Sequence, residues 1–300
     1  MVKAVILAAG LGTRLVPYSK EMPKEMLPIF VREEGSLVLK PVLQVVFEQL
    51  YEAGIREFCF VVGRGKRSVE DHFTPDWDYV EYLREKRKYL QAAMLDRFYR
   101  MIESSNITWV NQPSPKGTGD AVLRAEHFVE GEYFVATAGD NVFIGENVAA
   151  KLLEVYSKVK APIITVKKVK DPTRYGVVIG DRVSMQGVDA PLYRVKWIKE
   201  KCKEPPSNLA NVSLYVFPPE IFDAIRHTKP SPRGEIEVTS SIEELIKEGV
   251  EFYAFESDAF WVDVGTPETY LEALLYSLKL SCPSRDIGAV VERLLGLVVG

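Results

Sequence analysis

The chain has 300 residues, 47% of them hydrophobic and 27% charged, an ordinary globular composition that can bury a full core in one or two domains. With 38 basic against 42 acidic residues and a formal charge of −4, no bulk positive charge exists to drive sequence-independent binding to nucleic acid. Cys59, Cys202 and Cys282 are too few and too scattered for a disulfide scaffold or a four-thiolate zinc site, and no apolar run is long enough for a membrane span, so a soluble cytoplasmic protein is expected.

Along the first half, short apolar runs rich in valine and isoleucine alternate with helical patterns. VKAVILA (2–8), EFCFVVG (57–63), ITWVNQ (107–112), YFVATAG (133–139) and APIITVKKV (161–169) read as buried parallel strands. Helices are expected near 40–53, 66–73, 79–104 and 118–129, with Gly54 placed to cap the first. This alternation predicts a doubly wound, Rossmann-like α/β sheet with ligands at the carboxyl ends of its strands. The second half carries strands without regular intervening helices (YGVVIG, PLYRVKWIKEK, NLANVSLYVF, VEFYAFE), which predicts a small β subdomain on the substrate side. Helices are expected near 218–227, 240–248, 267–280 and 286–298. The organisation predicted is one domain over 1–280, with a nucleotide-side lobe at 1–170 and a substrate-side lobe at 171–265. The apolar tail 281–300 would pack on its own lobe or seal a subunit contact.

The most informative segment is Leu7-Ala8-Ala9-Gly10-Leu11-Gly12-Thr13-Arg14-Leu15, directly after the first strand. Gly10 and Gly12 let backbone approach a ligand closely. Exposed amides and an arginine then suit phosphate oxygens. A P-loop needs Gly-Lys-Ser/Thr, but Gly12 is followed by Thr13-Arg14. The dinucleotide pattern needs a third glycine where Leu15 stands. Pro17, Pro23 and Pro28 stop a helix from starting at once, so the loop is expected to run into an extended segment. On it, Lys24 lies between two prolines, where an ammonium could act as a fixed charge beside a phosphoryl group.

The string from Leu7 to Arg14, with Pro17, Lys20 and Pro23-Lys24-Glu25-Met26-Leu27-Pro28, resembles the signature of the sugar-1-phosphate nucleotidylyltransferases. Its PKEMLP form is similar to the branch that joins UTP to glucose 1-phosphate. Later segments agree in order: Gln112 to Gly117 and Thr-Gly-Asp-Ala, Gly139-Asp140-Asn141, Tyr175-Gly176, Glu200-Lys201, Pro206 to Ala210, Arg233 to Thr239, and Val262 to Pro267. The likeness covers about 1–280. Two features depart from that branch: Glu200-Lys201-Cys202 stands where Glu-Lys-Pro is usual, and Gln-Pro-Ser-Pro and Gly-Thr-Pro look closer to thymidylyltransferases.

The resemblance implies the reaction UTP plus glucose 1-phosphate giving UDP-glucose and pyrophosphate. Two polyanions are brought together for in-line attack at the α-phosphorus, with no protein nucleophile. It implies a nucleotide site formed by Ala8, Ala9, Gly10, Gly12, Thr13, Arg14, Lys24, Gln112 and Gly117. Arg14 would hold the leaving phosphates, Lys24 the α-phosphate, and Gln112 the Watson–Crick edge of the base through its amide donor and acceptor. Asp140 and Asp263 would hold one Mg²⁺, and Arg14, Lys24 and Asp140 would form the catalytic set. Gly176, Glu200, Lys201 and Asn211 would face the sugar phosphate. A homo-oligomer, dimer or tetramer, is implied too, with no nucleic-acid or membrane partner.

Several signals point elsewhere and are outweighed. His72, His127 and His227 show no metal spacing. The basic residues of 81–100 are interspersed with Glu81, Glu85 and Asp96, and Asp96/Arg100 has helical ion-pair spacing, so a solvated face is expected. Alternative readings are a thymidylyltransferase, a relative using another sugar 1-phosphate, and a silent nucleotide-sugar-binding regulator. The last is disfavoured because Arg14, Lys24, Asp140 and Asp263 are all present. A nicotinamide oxidoreductase fails on the missing third glycine.

Overall fold

The computed structural model describes residues 2–282. Its strands are β1 (Lys3–Ala8), β2 (Pro28–Glu33), β3 (Ser36–Pro41), β4 (Glu57–Val62), β5 (Asn106–Asn111), β6 (Phe134–Ala138), β7 (Asn141–Ile144), β8 (Ile163–Lys168), β9 (Gly176–Met185), β10 (Val188–Glu200), β11 (Leu209–Phe217), β12 (Tyr253–Glu256) and β13 (Phe260–Asp263). Nine of them form one sheet in the order β5-β4-β1-β6-β11-β8-β12-β10-β9. Only β10 and β11 run against the direction of the others. The Rossmann-like, mostly parallel sheet expected from the apolar runs is therefore present. β11, from the second half of the sequence, lies between β6 and β8, so the segments on either side of residue 170 share one sheet.

The helices are α1 (Val42–Glu52), α2 (Arg67–His72), α3 (Trp77–Glu85), α4 (Tyr89–Glu103), α5 (Thr118–Arg124), α6 (Glu126–Val129), α7 (Val148–Val159), α8 (Ile221–His227), α9 (Val238–Lys247) and α10 (Pro267–Ser281). They cover the sheet because successive strand residues face opposite ways. Ala4, Ile6, Ala8, Phe58 and Phe60 pack into one core with α1, α4 and α7. Val5, Cys59 and Val61 pack into the other with α5, α8 and α9. Phe47, Phe60, Phe73 and Phe98 meet ring to ring and fix α2 and α4 to the sheet. Each such ring, fully buried, stabilises by about 1.5–3 kcal/mol.

Three local expectations are corrected. The single helix over 79–104 is two, α3 and α4, separated by Arg87 at φ 58. The segment after the glycine loop is not extended: it folds into three 3-10 turns, Thr13–Leu15, Tyr18–Lys20 and Lys24–Met26, because the prolines fix φ near helical values without supplying the N–H a longer helix needs. The β2–β3 hairpin follows, where no strand pair was expected. The helix expected at 286–298, and the subunit contact it would make, lie outside the described residues.

Candidate active site

β1, β4, β5 and β6 are parallel neighbours, so their carboxyl ends open on one edge, where such sheets place ligands. After β1 the chain turns at Gly12, which is left-handed at φ 64. Its carbonyl accepts from Leu15 N (2.8 Å) and Ser19 Oγ (2.6 Å). Ala9, Gly10, Gly12 and Thr13 line a cavity of about 390 Å³ together with Lys24, Gln112, Gly117 and Asp140. Ala8 is wholly buried at the end of β1, as the strand alternation dictates, and is not part of this lining.

Lys24 begins the third 3-10 turn and passes Gly10, where a Cβ would lie 3.4 Å from Lys24 Cε. Its Nζ donates to Asp140 Oδ2. The adjacent Glu25 accepts from Lys66 Nζ at 2.6 Å, and both partners are buried. Lys66 follows β4, so this pair clamps the turn to the sheet edge. Burial raises the Glu25 carboxyl above its usual range, with Lys66 opposing. A buried pair of this kind contributes geometry more than net stability.

Lys24, Asp140 and Asp263 form one electrostatic group. Burial opposes charge on Lys24, but Asp140, Glu25 and Asp263 outweigh it and hold its proton more tightly than usual. Burial also opposes charge on Asp140, and Lys24 outweighs it, so this carboxyl sits below its ordinary value. Asp263 is pushed up to about 7 by burial and then by the charge of Asp140, with Lys24 opposing. One ammonium is bonded to only one of two neighbouring carboxylates, and the two therefore titrate differently.

The backbone places the two aspartates. β13 pairs antiparallel with β7, putting Asp263 opposite Asn141, and Val264 N donates to Asp140 O at 3.1 Å. Asp263 Oδ1 is buried with no hydrogen-bond partner, a state that costs about 1–3 kcal/mol when nothing compensates it. Arg14 Nη2 lies 3.9 Å from Asp263 Oδ2. The guanidinium crosses Gly265, where any side chain would collide with it.

At the other end of the cavity, Gln112 follows β5 and is buried. Its Nε2 donates to Gly117 O (3.2 Å) and Asp120 Oδ2 (2.8 Å). Gly117 stands at φ 103, and a Cβ there would lie 2.5 Å from Ile236 O, so only glycine fits.

A second cavity of about 400 Å³ adjoins the first, with Thr13 and Glu235 lining both. Arg14, Arg174, Lys201 and Arg233 bring four cations to it, against the carboxylates of Glu235 and Asp263. Lys201 is held at φ 43 by its N–H donating to Tyr175 O at 3.1 Å. The remaining residues expected on the sugar side sit together behind this cavity. A Cβ on Gly176 would lie 3.0 Å from Glu200 Oε2 and 3.6 Å from Asn211 Cβ. Thr239 Oγ1 donates to Glu200 Oε2 at 2.9 Å. Asn211 donates to Tyr215 Oη (2.7 Å) and accepts from Ser213 N (3.0 Å). Its amide thus holds Tyr215, which lines the first cavity, and Asn211 lines neither.

Sequence reasoning gave no role to Arg174, Tyr215, Arg233, Glu235 or Glu237, all of which line one of the cavities. The signal for the last three was the charged run Arg233-Gly-Glu-Ile-Glu237 just before a helix. Arg233 Nη2 reaches Glu237 Oε1 at 2.5 Å. Burial and then Glu200 push the Glu237 carboxyl up, with Arg233 opposing.

Residues 3–279 match the family described as nucleotidyl transferase. A UTP–glucose-1-phosphate uridylyltransferase of Staphylococcus epidermidis is 36% identical over 299 residues, covering 97% of this chain and 98% of that protein. The crystal structure of a UDP-glucose pyrophosphorylase complexed with UDP-glucose superposes with a TM-score of 0.79 at 30% identity, covering 93% of this chain and 99% of that one. A UTP-bound UGPase from Acinetobacter baumannii gives 0.81 at 27% identity, over 98% and 99%. The chain belongs to the nucleotidyl transferase family. The likeness to uridylyltransferases spans the whole glycine loop, both cavities and the sheet that carries them.

Proposed function

We propose that the protein is a UTP–glucose-1-phosphate uridylyltransferase, making UDP-glucose and pyrophosphate. One observation carries the reading: Lys24, Asp140, Asp263 and Arg14 form a continuous charged chain where two adjoining cavities meet. The first cavity, with its glycine loop and Gln112, takes the nucleotide. The second, with Arg174, Lys201 and Arg233, takes the sugar phosphate.

In this reading the loop amides from Gly10 to Thr13 and the Arg14 guanidinium hold the β- and γ-phosphates. Lys24 stands beside the α-phosphate, where charge builds as pyrophosphate leaves. Lys201 and Arg233 position the sugar phosphate, whose oxygen is already ionised at neutral pH and needs no general base. The chain's task is orientation and charge neutralisation, which can supply much of a phosphoryl-transfer rate. Lys24 has three N–H donors and gives one to Asp140, so the others can meet the α-phosphate as it arrives.

The carboxylates fit a divalent cation. Asp263 Oδ1 is buried and orphaned beside Asp140, and both groups are hard oxygen donors. Among the described residues no group of three His, Cys, Asp or Glu could hold a metal, so phosphate oxygens and water would fill the other positions, as Mg²⁺ prefers. When bound, Mg²⁺ would withdraw charge from the phosphate oxygens. Asp140 and Asp263 would hold it, and Lys24 would then be free for phosphate.

The reading carries a cytoplasmic location, supported by three unpaired cysteines, and a homo-oligomer, which native mass measurement checks. Among the described residues no helix is long and apolar enough to cross a membrane. The deciding experiment measures pyrophosphate release over a matrix of nucleoside triphosphates and sugar 1-phosphates, with Mg²⁺ and with EDTA. UTP with glucose 1-phosphate should be the best pair, and EDTA should abolish turnover. A better rate with dTTP or another sugar would replace this specificity, and turnover surviving EDTA would remove the metal roles of Asp140 and Asp263.

A further inference from the structure

Asp120 lies in the first turn of α5, is buried, and is absent from the lining of the nucleotide cavity. Its two carboxylate oxygens are both engaged. Oδ1 accepts from Arg124 Nη2 at 2.8 Å, and Oδ2 accepts from Gln112 Nε2 at 2.8 Å. The same nitrogen also donates to Gly117 O at 3.2 Å. Carboxylate and carbonyl oxygens can only accept, so the amide nitrogen must be the end that faces them. Both Gln112 N–H groups are therefore consumed inside the protein. Among the described residues nothing donates to Gln112 Oε1, on a residue that lines the cavity.

From this geometry we infer that Asp120 is a positioning residue for base choice: it locks the Gln112 amide so that the nucleotide cavity is offered an acceptor and no donor. The simple expectation from sequence, that Gln112 reads the base with both ends of its amide, is replaced by a one-ended reading. A lone acceptor pairs with a base that carries a hydrogen on its ring nitrogen. Uracil and thymine have N3–H, whereas cytosine presents a lone pair at N3 and meets Oε1 with repulsion. Leaving a buried acceptor facing another acceptor forfeits the hydrogen bond and the desolvation cost of both, the asymmetry that gives polar sites their large discrimination. Arg124 strengthens the lock, because it occupies the second carboxylate oxygen and stops Asp120 from rotating away.

The inference rests on the reading of the first cavity as a uridine nucleotide site, and the test separates the two. UTP and CTP binding are measured by calorimetry on wild type, Asp120→Asn and Asp120→Ala, with glucose-1-phosphate turnover and the thermal midpoint recorded alongside. Wild type should prefer UTP over CTP by at least about 10²-fold, and it should reject 3-methyluridine triphosphate, which has no N3–H. In both variants the carboxylate acceptor is lost and only Gly117 O, at 3.2 Å, still holds the amide nitrogen, so the amide turns more readily and the UTP-to-CTP ratio should fall tenfold or more while the KM for glucose 1-phosphate stays near wild type. A merely structural role for Asp120 would weaken both nucleotides alike. An unchanged ratio in a folded variant overturns the inference, as does a wild type that binds CTP or 3-methyluridine triphosphate as tightly as UTP. Failure of the uridylyltransferase reading would show differently, as absence of sugar-phosphate turnover, whatever the base ratio.

Discussion

Lys24 and Asp140 are 116 positions apart in the chain, and the fold joins them by a hydrogen bond at the floor of the nucleotide cavity. Lys24→Ala has two expected effects. Turnover should fall by about 10² or more, the scale seen when a preorganised charge-stabilising group is removed. Stability without metal should also fall, because Asp140 would be left buried and unpaired; breaking a buried pair from one side costs about 3–5 kcal/mol at the upper end. Urea unfolding in EDTA and in excess Mg²⁺ checks this. The loss should be large in EDTA and partly restored by the cation, and equal losses in both would count against a metal site at these aspartates.

Asp263 gives the proposed metal site a pH dependence. Burial and then the charge of Asp140 push its carboxyl up to about 7, so below that pH a proton would have to leave before a cation could be held. The apparent Mg²⁺ affinity should be level above about pH 8 and weaken by up to about tenfold per unit as pH drops below 7. Mg²⁺ titrations at pH 8, 7 and 6 test it. Asp263→Asn should weaken Mg²⁺ and also flatten the pH slope, and a slope preserved in that variant would assign the proton to another group.

Gly176→Ala probes the sugar side. The added methyl would press on Glu200 Oε2 and Thr239 Cγ2, both 3.0 Å away. Overpacking of this kind costs about 1–3 kcal/mol and is relieved by displacing Glu200. The KM for glucose 1-phosphate should rise about tenfold, the size expected from about 1.4 kcal/mol, while the KM for UTP is unchanged. Initial-rate kinetics with each substrate varied in turn would show it. A rise in both would mean that Glu200 does not belong to the sugar site alone.

His72 gives a stability prediction away from the cleft. Its ring packs against Phe73 and Phe98 and bonds Gln44 Oε1 at 3.0 Å. Burial lowers its pKa from 6.5 to about 4. The folded state therefore binds fewer protons than the unfolded state between those values, and stability is full above pH 6.5 and is lost as pH falls towards 4. Urea midpoints at pH 7 and 4.5 should differ more in wild type than in His72→Gln, which cannot take up the proton.

Strands β1, β4, β6 and β8 were legible in the sequence because each is buried on both faces and reads as an unbroken apolar run. The β2–β3 hairpin was hidden by an inverted pattern. Leu37 and Leu39 of β3 are exposed, while Lys40 is buried between Glu33 (2.9 Å) and Glu48 (2.8 Å), so its alternation argues against a strand. Arg87 broke the 79–104 helix at a left-handed residue that carries no glycine signal. Within the site, the loop and Lys24 could be found by their local glycines and prolines. The clamp of Glu25 to Lys66, the lock of Gln112 on Asp120 and the cation Arg174 could not, because each depends on contacts between segments that composition and spacing do not connect. Ala8 and Asn211 fall inside recognisable strings, yet strand alternation buries the first and Tyr215 engages the second.

The ladder between β7 and β13 makes the aperture between Asp140 and Asp263 a property of the main chain rather than of neighbouring side chains. Drift in the residues around either cavity can then re-address the scaffold to a new base or hexose without detuning the step that severs pyrophosphate. Substitutions at Glu200, Gln112 or their supports would then leave the spacing of the two aspartates untouched.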